Sequence, residues 1–117
     1  MITVANKYHK THPKDAQDIM RPNVLGNPYS HMEGTRAEFK VATREDAVAA
    51  YKPWLKKQMN AGVAVRKELQ RLSELAQRGE LVLLCCCAPK SCHGDAVKEA
   101  LAWILANPEW TPKALTR

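Results

Sequence analysis

The feature that most constrains this fold is an uninterrupted apolar run over residues 81–88, Leu-Val-Leu-Leu-Cys-Cys-Cys-Ala. It stands between Gly79 and Pro89, and it is far too short for the roughly 18–20 residues of a membrane span. A short run between helix breakers is typical of a central strand buried on both faces. Such strands belong to parallel sheets covered by helices, so the run predicts a layered α/β fold.

Helical patterns stand on both sides of this strand in the sequence. Thr43 can cap a helix whose apolar residues recur at three- and four-residue steps, and Pro53 should kink or split that helix. A second helix is predicted from about residue 62 to Gly79, where glycine ends it. A third begins near Cys92 and ends at Asn107. The sequence therefore predicts about three helices.

The first third of the chain is less regular. Residues 2–6 fit a short strand, whereas residues 16–20 fit either one helical turn or a short strand. Residues 21–34 are rich in proline, glycine and asparagine and are predicted to be an ordered loop without a regular element. At 117 residues the chain has the size of one domain. We predict a single α/β domain over residues 1–117, small and Rossmann-like, with a short, mostly parallel sheet.

Composition restricts the environment and the partners. The four cysteines lie within residues 85–92, too close together for disulfides that link distant parts of the chain. The N-terminus does not show the pattern of a secretory signal. We therefore expect a cytoplasmic protein that does not enter the membrane. The net charge of +6 favours anionic partners, although scattered basic residues also suit a solvated surface. Direct nucleic-acid binding is not expected, because aromatic residues do not interleave with the basic ones.

The turn after the apolar strand is the first candidate site. In open α/β sheets, ligands bind beyond the carboxyl ends of strands, where loops lead into helices. The unpaired amides of a helix start attract anions and lower the pKa of a thiol, so Cys92 should be acidic. The candidate catalytic residues are Cys92, His93 and Asp95, with Gly94 and Cys87 as ligand-binding neighbours.

Two other interpretations of this turn stay open. Cys87, Cys92 and His93 could bind zinc, joined by Cys85 or His31, although the spacing lacks the paired knuckles of structural zinc sites. Alternatively the cysteines are small buried hydrophobic residues and the aspartate only complements the helix dipole. No cofactor is predicted beyond this zinc alternative.

The loop over residues 21–31 is the second candidate site. Its arginine offers a planar charged fork for a phosphate or carboxylate, and its glycine and proline leave an asparagine side chain free for a specific hydrogen bond. The ligand-binding candidates in this loop are Arg21, Gly26, Asn27, Pro28 and His31. The alternative is an ordered turn in which Asn27 bonds only backbone groups.

Together these motifs resemble a known family. Arg-Pro, Leu-Gly-Asn-Pro-Tyr, Thr-Arg-Glu-Asp-Ala and Leu-Cys-Cys-Cys-Ala-Pro followed by Cys-His-Gly-Asp occur in this order. The chain resembles, from about residue 2 to 104, the phage and bacterial family called domain of unknown function 4326. The resemblance implies a compact Rossmann-like domain but no activity, and Cys86 stands where members often carry an aromatic residue. It implies these motif positions: Arg21, Gly26, Asn27, Pro28, Arg44, Cys87, Cys92, His93, Gly94 and Asp95.

The leading hypothesis is a nucleotide- or phosphometabolite-binding domain, and both a binding protein and a small enzyme acting on a glycosidic or phosphate linkage fit it. In this hypothesis Arg21 would hold the anion, and Asn27 and Asp95 would bind hydroxyls or a base. His93 or His31 would carry the proton, and Cys92 would be the nucleophile. The alternative is a non-catalytic, phage-type inhibitor that binds an acidic host partner. A third hypothesis is a zinc-dependent fold.

Overall fold

The computed structural model describes residues 1–8, 12–21, 23–30, 39–85 and 92–110. His31 and Cys87, two of the candidate site residues, lie outside these ranges. In chain order the elements are β1 (Ile2–Asn6), β2 (Gln17–Asp18), β3 (Tyr29–Ser30), β4 (Phe39–Lys40), α1 (Arg44–Ala61), α2 (Val63–Arg78), β5 (Leu81–Cys85) and α3 (His93–Ala106).

The apolar run forms the centre of a three-stranded sheet of order β1-β5-β2. Both neighbours run parallel to β5, with Ile2 opposite Leu81 and Gln17 opposite Leu83. Every residue of β5 is buried except Val82, which is partly buried. The predicted central strand and the α/β fold class are therefore confirmed.

The helices follow the sequence pattern closely. Thr43 caps α1 by accepting a hydrogen bond from the amide of Asp46 at 3.0 Å, as predicted. The prediction that Pro53 could split this helix is wrong, because α1 runs without a break past it and ends only before Gly62. Pro53 and Ala49, four residues earlier, are both exposed, so water can bond the carbonyl that loses its helical partner.

The sequence pattern predicts the short strands only in part. Residues 16–20, left open between helix and strand, contain the strand β2. The prediction that residues 21–34 contain no regular element is wrong at Tyr29–Ser30, because β3 pairs in parallel with β4. The rings of Tyr29 and Phe39 stack at 5.1 Å between centroids. This partner strand comes ten residues later, so the local pattern of the loop could not reveal it.

The core lies between the helices and one face of the sheet. Alternate residues of β1 and β5, such as Ile2 and Leu83, pack in one cluster with Leu69 of α2 and Leu101 of α3. Because all three strands of this sheet are parallel, their carboxyl ends meet at one edge, and α3 begins beside it. None of the helices in the described ranges combines the length and apolar character of a bilayer span.

Candidate functional site

An ion pair spans the carboxyl edge of the sheet. Lys7 follows β1, Asp18 ends β2, and Lys7 Nζ lies 2.7 Å from Asp18 Oδ2. The two outer strands are therefore joined across the end of β5, where the Lys7 amide also donates to the Cys85 carbonyl at 2.8 Å. Sequence reasoning missed both residues as site residues. The signal was available, because each lies at or next to the end of a short strand.

The carboxylate of this ion pair is held in its charged form. Partial burial raises the pKa of Asp18, but the hydrogen bond from Lys7 and the bond from the Met20 amide outweigh it. The pKa of Asp18 is therefore lower than its ordinary value, with a small additional contribution from nearby His93. A charged aspartate at a strand end can accept hydrogen bonds from ligand hydroxyls.

His93 is a buried titratable group of the site. Its Nε2 lies 2.8 Å from the carbonyl oxygen of Ile19, and its ring meets that of Tyr51 edge-on at 5.1 Å. A carbonyl only accepts, so Nε2 carries the hydrogen and the neutral ring keeps its lone pair on Nδ1. Burial lowers the pKa of His93, and the nearby charge of Arg21 lowers it further against the opposing Ile19 bond. The ring is therefore neutral near pH 7.

The prediction of an acidic Cys92 thiol is wrong. Cys92 is the N-cap of α3, but its side chain is buried and its Sγ lies 2.8 Å from Sγ of Cys85. The contact with Cys85 and then burial raise the pKa of Cys92 well above its ordinary value, outweighing the hydrogen bond from the Gly94 amide. The thiol is protonated at neutral pH, which removes the basis for a Cys92 nucleophile.

The rest of the helix start is closed by the protein itself. Asp95 Oδ2 accepts a hydrogen bond from the Cys92 amide at 3.2 Å, while the residue itself is exposed. Gly94 is buried, and a Cβ there would meet Val4 Cγ1 at 2.9 Å and Cys92 Sγ at 3.2 Å. The missing side chain at Gly94 therefore allows α3 to pack closely on the sheet, rather than opening space for a ligand.

The loop over residues 21–28 is also tied by its own polar groups. Arg21 Nη1 donates to the Asn27 carbonyl at 2.6 Å, and Gly26 packs against the Arg21 backbone. The Asn27 side chain donates to the Ala47 carbonyl at 3.0 Å and accepts from the Tyr29 amide at 2.9 Å. The Asn27 side chain therefore bonds backbone groups, as the ordered-turn alternative predicts. The guanidinium of Arg21 is exposed and has further N–H donors.

Tyr51 of α1 joins the two candidate segments. Its hydroxyl donates to the Leu25 carbonyl at 2.6 Å, and its ring lies against His93. The same histidine bonds Ile19, two residues before Arg21. The loop and the start of α3 therefore lie on the same side of the molecule. The sequence pattern identified Tyr51 only as part of an apolar helix face.

Two other candidate positions lie at the rim of this region. Arg44 begins α1, one turn before the Ala47 carbonyl that holds Asn27, and it pairs with Glu45 at 3.4 Å. Pro28 is buried, and its carbonyl accepts the Phe39 amide that joins β4 to β3. Across the described ranges no three His, Cys, Asp or Glu side chains come together as metal ligands. The predicted zinc set includes Cys87, which those ranges leave out.

A cavity opens beside the start of α3. It has a volume of about 520 Å³, lies between α1 and α3, and is lined by Cys92, Asp95, Lys52 and Lys98 among others. A second cavity of about 400 Å³ shares Lys52 with it and continues towards the end of α3. The site thus has an adjoining concave surface that carries both cationic and acidic side chains.

The sequence comparisons identify a family rather than an activity. No curated protein and no solved structure matches the chain significantly. The model of the family described as Domain of unknown function (DUF4326) matches residues 2–103 of the 117 residues. The chain therefore belongs to this family, as the order of its Gly-Asn-Pro and Cys-His-Gly-Asp motifs predicted.

Proposed function

We propose that this protein binds a nucleotide or another small phosphorylated metabolite at the carboxyl edge of its sheet, in the cytoplasm. The observation that carries the proposal is the convergence of Arg21, the Lys7–Asp18 pair and the neutral ring of His93 on the side where α3 begins. Ligand sites of open parallel sheets occur at such edges.

Arg21 is the group best suited to hold a phosphate. Its guanidinium is exposed, and one donor is used by the Asn27 carbonyl, so the rest of the fork remains for an anion. The positive end of α3 lies on the same side and favours the same charge. A phosphate here would gain a charge-assisted contact from Arg21 and attraction from the helix.

Carboxylates at the same edge would accept hydrogen bonds from hydroxyl groups of the ligand. Asp18 is charged, and Asp95 is exposed with one oxygen bonded to the Cys92 amide. His93 would accept a hydrogen bond through Nδ1, because Nε2 is bonded to Ile19. If the ligand is also a substrate, His93 is the described group suited to take a proton at neutral pH.

The remainder of the ligand would extend into the cavity between α1 and α3. That cavity of about 520 Å³ has the volume of a small-molecule pocket and begins at Asp95. Lys52 lies on its α1 side and pairs with Glu99 at 2.9 Å. The proposal therefore places the anionic end of the ligand at the sheet edge and the larger group along the helices.

The test is calorimetric titration of the purified chain with a panel of nucleoside mono-, di- and triphosphates, sugar phosphates and inorganic phosphate. The informative pair of variants is Arg21→Gln and Arg78→Gln. Both remove one positive charge, but Arg78 ends α2, before the amino end of β5 and at the opposite edge.

We expect a saturable phosphorylated ligand whose affinity falls about tenfold or more in Arg21→Gln, the effect of losing a charge-assisted hydrogen bond. Arg78→Gln should bind like the wild type. Thermal unfolding of both variants separates loss of binding from loss of folding. The proposal is wrong if no member of the panel binds, or if both variants weaken binding equally.

A second candidate function follows from the charge on α1. Lys56 and Lys57 are adjacent and exposed, and neither pairs with an acidic residue of the described ranges. Such a patch suits docking on an acidic protein, which is the inhibitor hypothesis. Capture of a partner that is lost in Lys56→Glu/Lys57→Glu but kept in Arg21→Gln would favour this function. The opposite pattern would exclude it.

A further inference from the structure

We propose that Cys85 and Cys92 form a redox-sensitive pair, which closes to a disulfide between the end of β5 and the start of α3. Neither cysteine forms a disulfide in the structure, and their sulfur atoms are 2.8 Å apart. A disulfide bond is about 2.05 Å long, so closing the pair requires the sulfurs to approach by roughly 0.8 Å. A shift of this size at the start of α3 is enough to bring the two sulfurs to bonding distance.

The two cysteines pack against each other in the interior of the protein. Cys85 and Cys92 form a small buried cluster of their own, with partly buried Val4 packed against it. Their exposed fractions are 0% and 2%, respectively. The contact between the two sulfurs places a second thiol beside whichever of them is oxidised first. Burial also means that only a small oxidant, or a brief opening of the α3 start, reaches the pair.

The step is balanced with hydrogen peroxide as the oxidant. One thiol loses its proton and attacks a peroxide oxygen, which breaks the O–O bond, releases water and leaves a sulfenic acid. The second sulfur then attacks the sulfenic sulfur, the S–S bond forms, and a second water leaves. Two sulfurs lose two electrons in total and the peroxide gains them. A high pKa at Cys92 makes the first attack slow at neutral pH.

Closing the pair would act on the proposed ligand site. Cys92 is the N-cap of α3, and its amide is bonded to Asp95. Disulfide formation would draw the Cys92 sulfur towards β5 and shift the first turn of α3. The positive end of that turn is the part of the helix that attracts the anion in the proposed site. This regulatory part rests on the proposed function. We expect oxidation to change the affinity of the phosphorylated ligand by about two- to fivefold, the contribution of a helix terminus.

The chemical part is tested on the full chain by peptide mapping. The wild type is treated with hydrogen peroxide, free thiols are alkylated, and the protein is digested with trypsin without reduction. Cleavage after Arg78, Lys90 and Lys98 places Cys92 in peptide 91–98 and the other three cysteines in peptide 79–90. We expect the two peptides to be linked, with fragment ions that assign the bond to Cys85 rather than Cys86 or Cys87.

Matched variants provide the control. The link should persist in Cys86→Ser and Cys87→Ser and disappear in Cys85→Ser and Cys85→Ala. The wild-type fragment ions decide the outcome even if a variant at the buried position fails to fold. A bond assigned to Cys86 or Cys87, or no linked peptide under conditions that oxidise an exposed cysteine peptide, would overturn the proposal.

The regulatory part is tested by titrating reduced and oxidised protein with the same panel of nucleoside phosphates, sugar phosphates and inorganic phosphate. A changed affinity supports it, and equal affinities in the two states contradict it while leaving both the disulfide and the ligand site intact. If the link forms but neither state binds any phosphorylated ligand, the proposed function fails and the redox pair stands. The failures of the two proposals are thus distinguishable.

Discussion

The ring of His93 is bonded to the backbone of Ile19, 74 positions earlier, through a 2.8 Å contact between Nε2 and the carbonyl oxygen. This bond joins the start of α3 to the end of β2 and fixes which ring nitrogen carries the hydrogen. It also brings a titratable group into the interior, beside Tyr51. Stability should therefore depend on the protonation of this ring.

The first prediction concerns pH. Burial lowers the pKa of His93 below its ordinary value of 6.5, so the unfolded chain binds a proton more readily than the folded one. The contribution of neutral His93 is fully present above pH 6.5 and is lost as pH falls towards the lower folded pKa. Urea unfolding between pH 7.5 and pH 5 should show wild-type stability falling.

His93→Gln is the control for this prediction, because glutamine can still donate to Ile19 but does not titrate. We expect the variant to be less stable at pH 7.5 and the gap to the wild type to narrow towards pH 5. The other histidines are present in both proteins and cancel in the difference. A gap that is constant or that widens on acidification would contradict the lowered pKa.

The second prediction concerns the close approach at Gly26. A Cβ there would lie 2.6 Å from the Arg21 backbone nitrogen, which cannot move as a flexible side chain does. Gly26→Ala should therefore reduce the free energy of unfolding by about 1–3 kcal/mol, a typical overpacking effect. Chemical denaturation measures it.

Gly79→Ala is the matched substitution for Gly26→Ala. Nothing lies within 4 Å of a Cβ at Gly79, and its φ of 164° is extended backbone that any residue adopts. Its unfolding free energy should stay close to that of the wild type. Equal effects of the two substitutions would mean that the tight turn at Gly26 is not formed.

The third prediction concerns the hydroxyl of Tyr51. It is buried and donates to the Leu25 carbonyl at 2.6 Å, so Tyr51→Phe leaves a buried acceptor without this partner. The expected loss is about 1–3 kcal/mol of unfolding free energy. Tyr8→Phe removes the same group from a residue that is 67% exposed and should change stability little. Hydrogen exchange of the 23–27 amides should also accelerate in Tyr51→Phe and not in Tyr8→Phe.

The fourth prediction concerns Pro53 within α1. Proline cannot donate to the carbonyl four residues earlier, so Pro53→Ala should raise the melting temperature and add about 1–3 kcal/mol of stability. Because Pro53 is exposed, little packing is lost. Pro108→Ala, beyond the C-cap of α3, interrupts no helix and should be nearly neutral. A destabilised Pro53→Ala would show that the ring has a packing role.

The helices and the two longer strands follow from local patterns in the sequence. The ends of α2, the cap of α1 and the length of β1 could be predicted because caps, glycine stops and apolar periodicity act over a few residues. The buried character of β5 followed from its apolar run. These signals also indicated that Arg21 and His93 belong to positions where ligands are commonly bound.

What the side chains do at these positions depends on contacts between distant segments of the chain. The pairing of β3 with β4, the Lys7–Asp18 ion pair and the contact between Cys85 and Cys92 each join residues that no local pattern connects. The rise in the Cys92 pKa shows the consequence. Position at a helix start favours a thiolate, but a buried neighbouring sulfur brought there by folding outweighs it. The pKa of a side chain depends on its burial and on its neighbouring groups, and both are determined only when distant segments of the chain pack together.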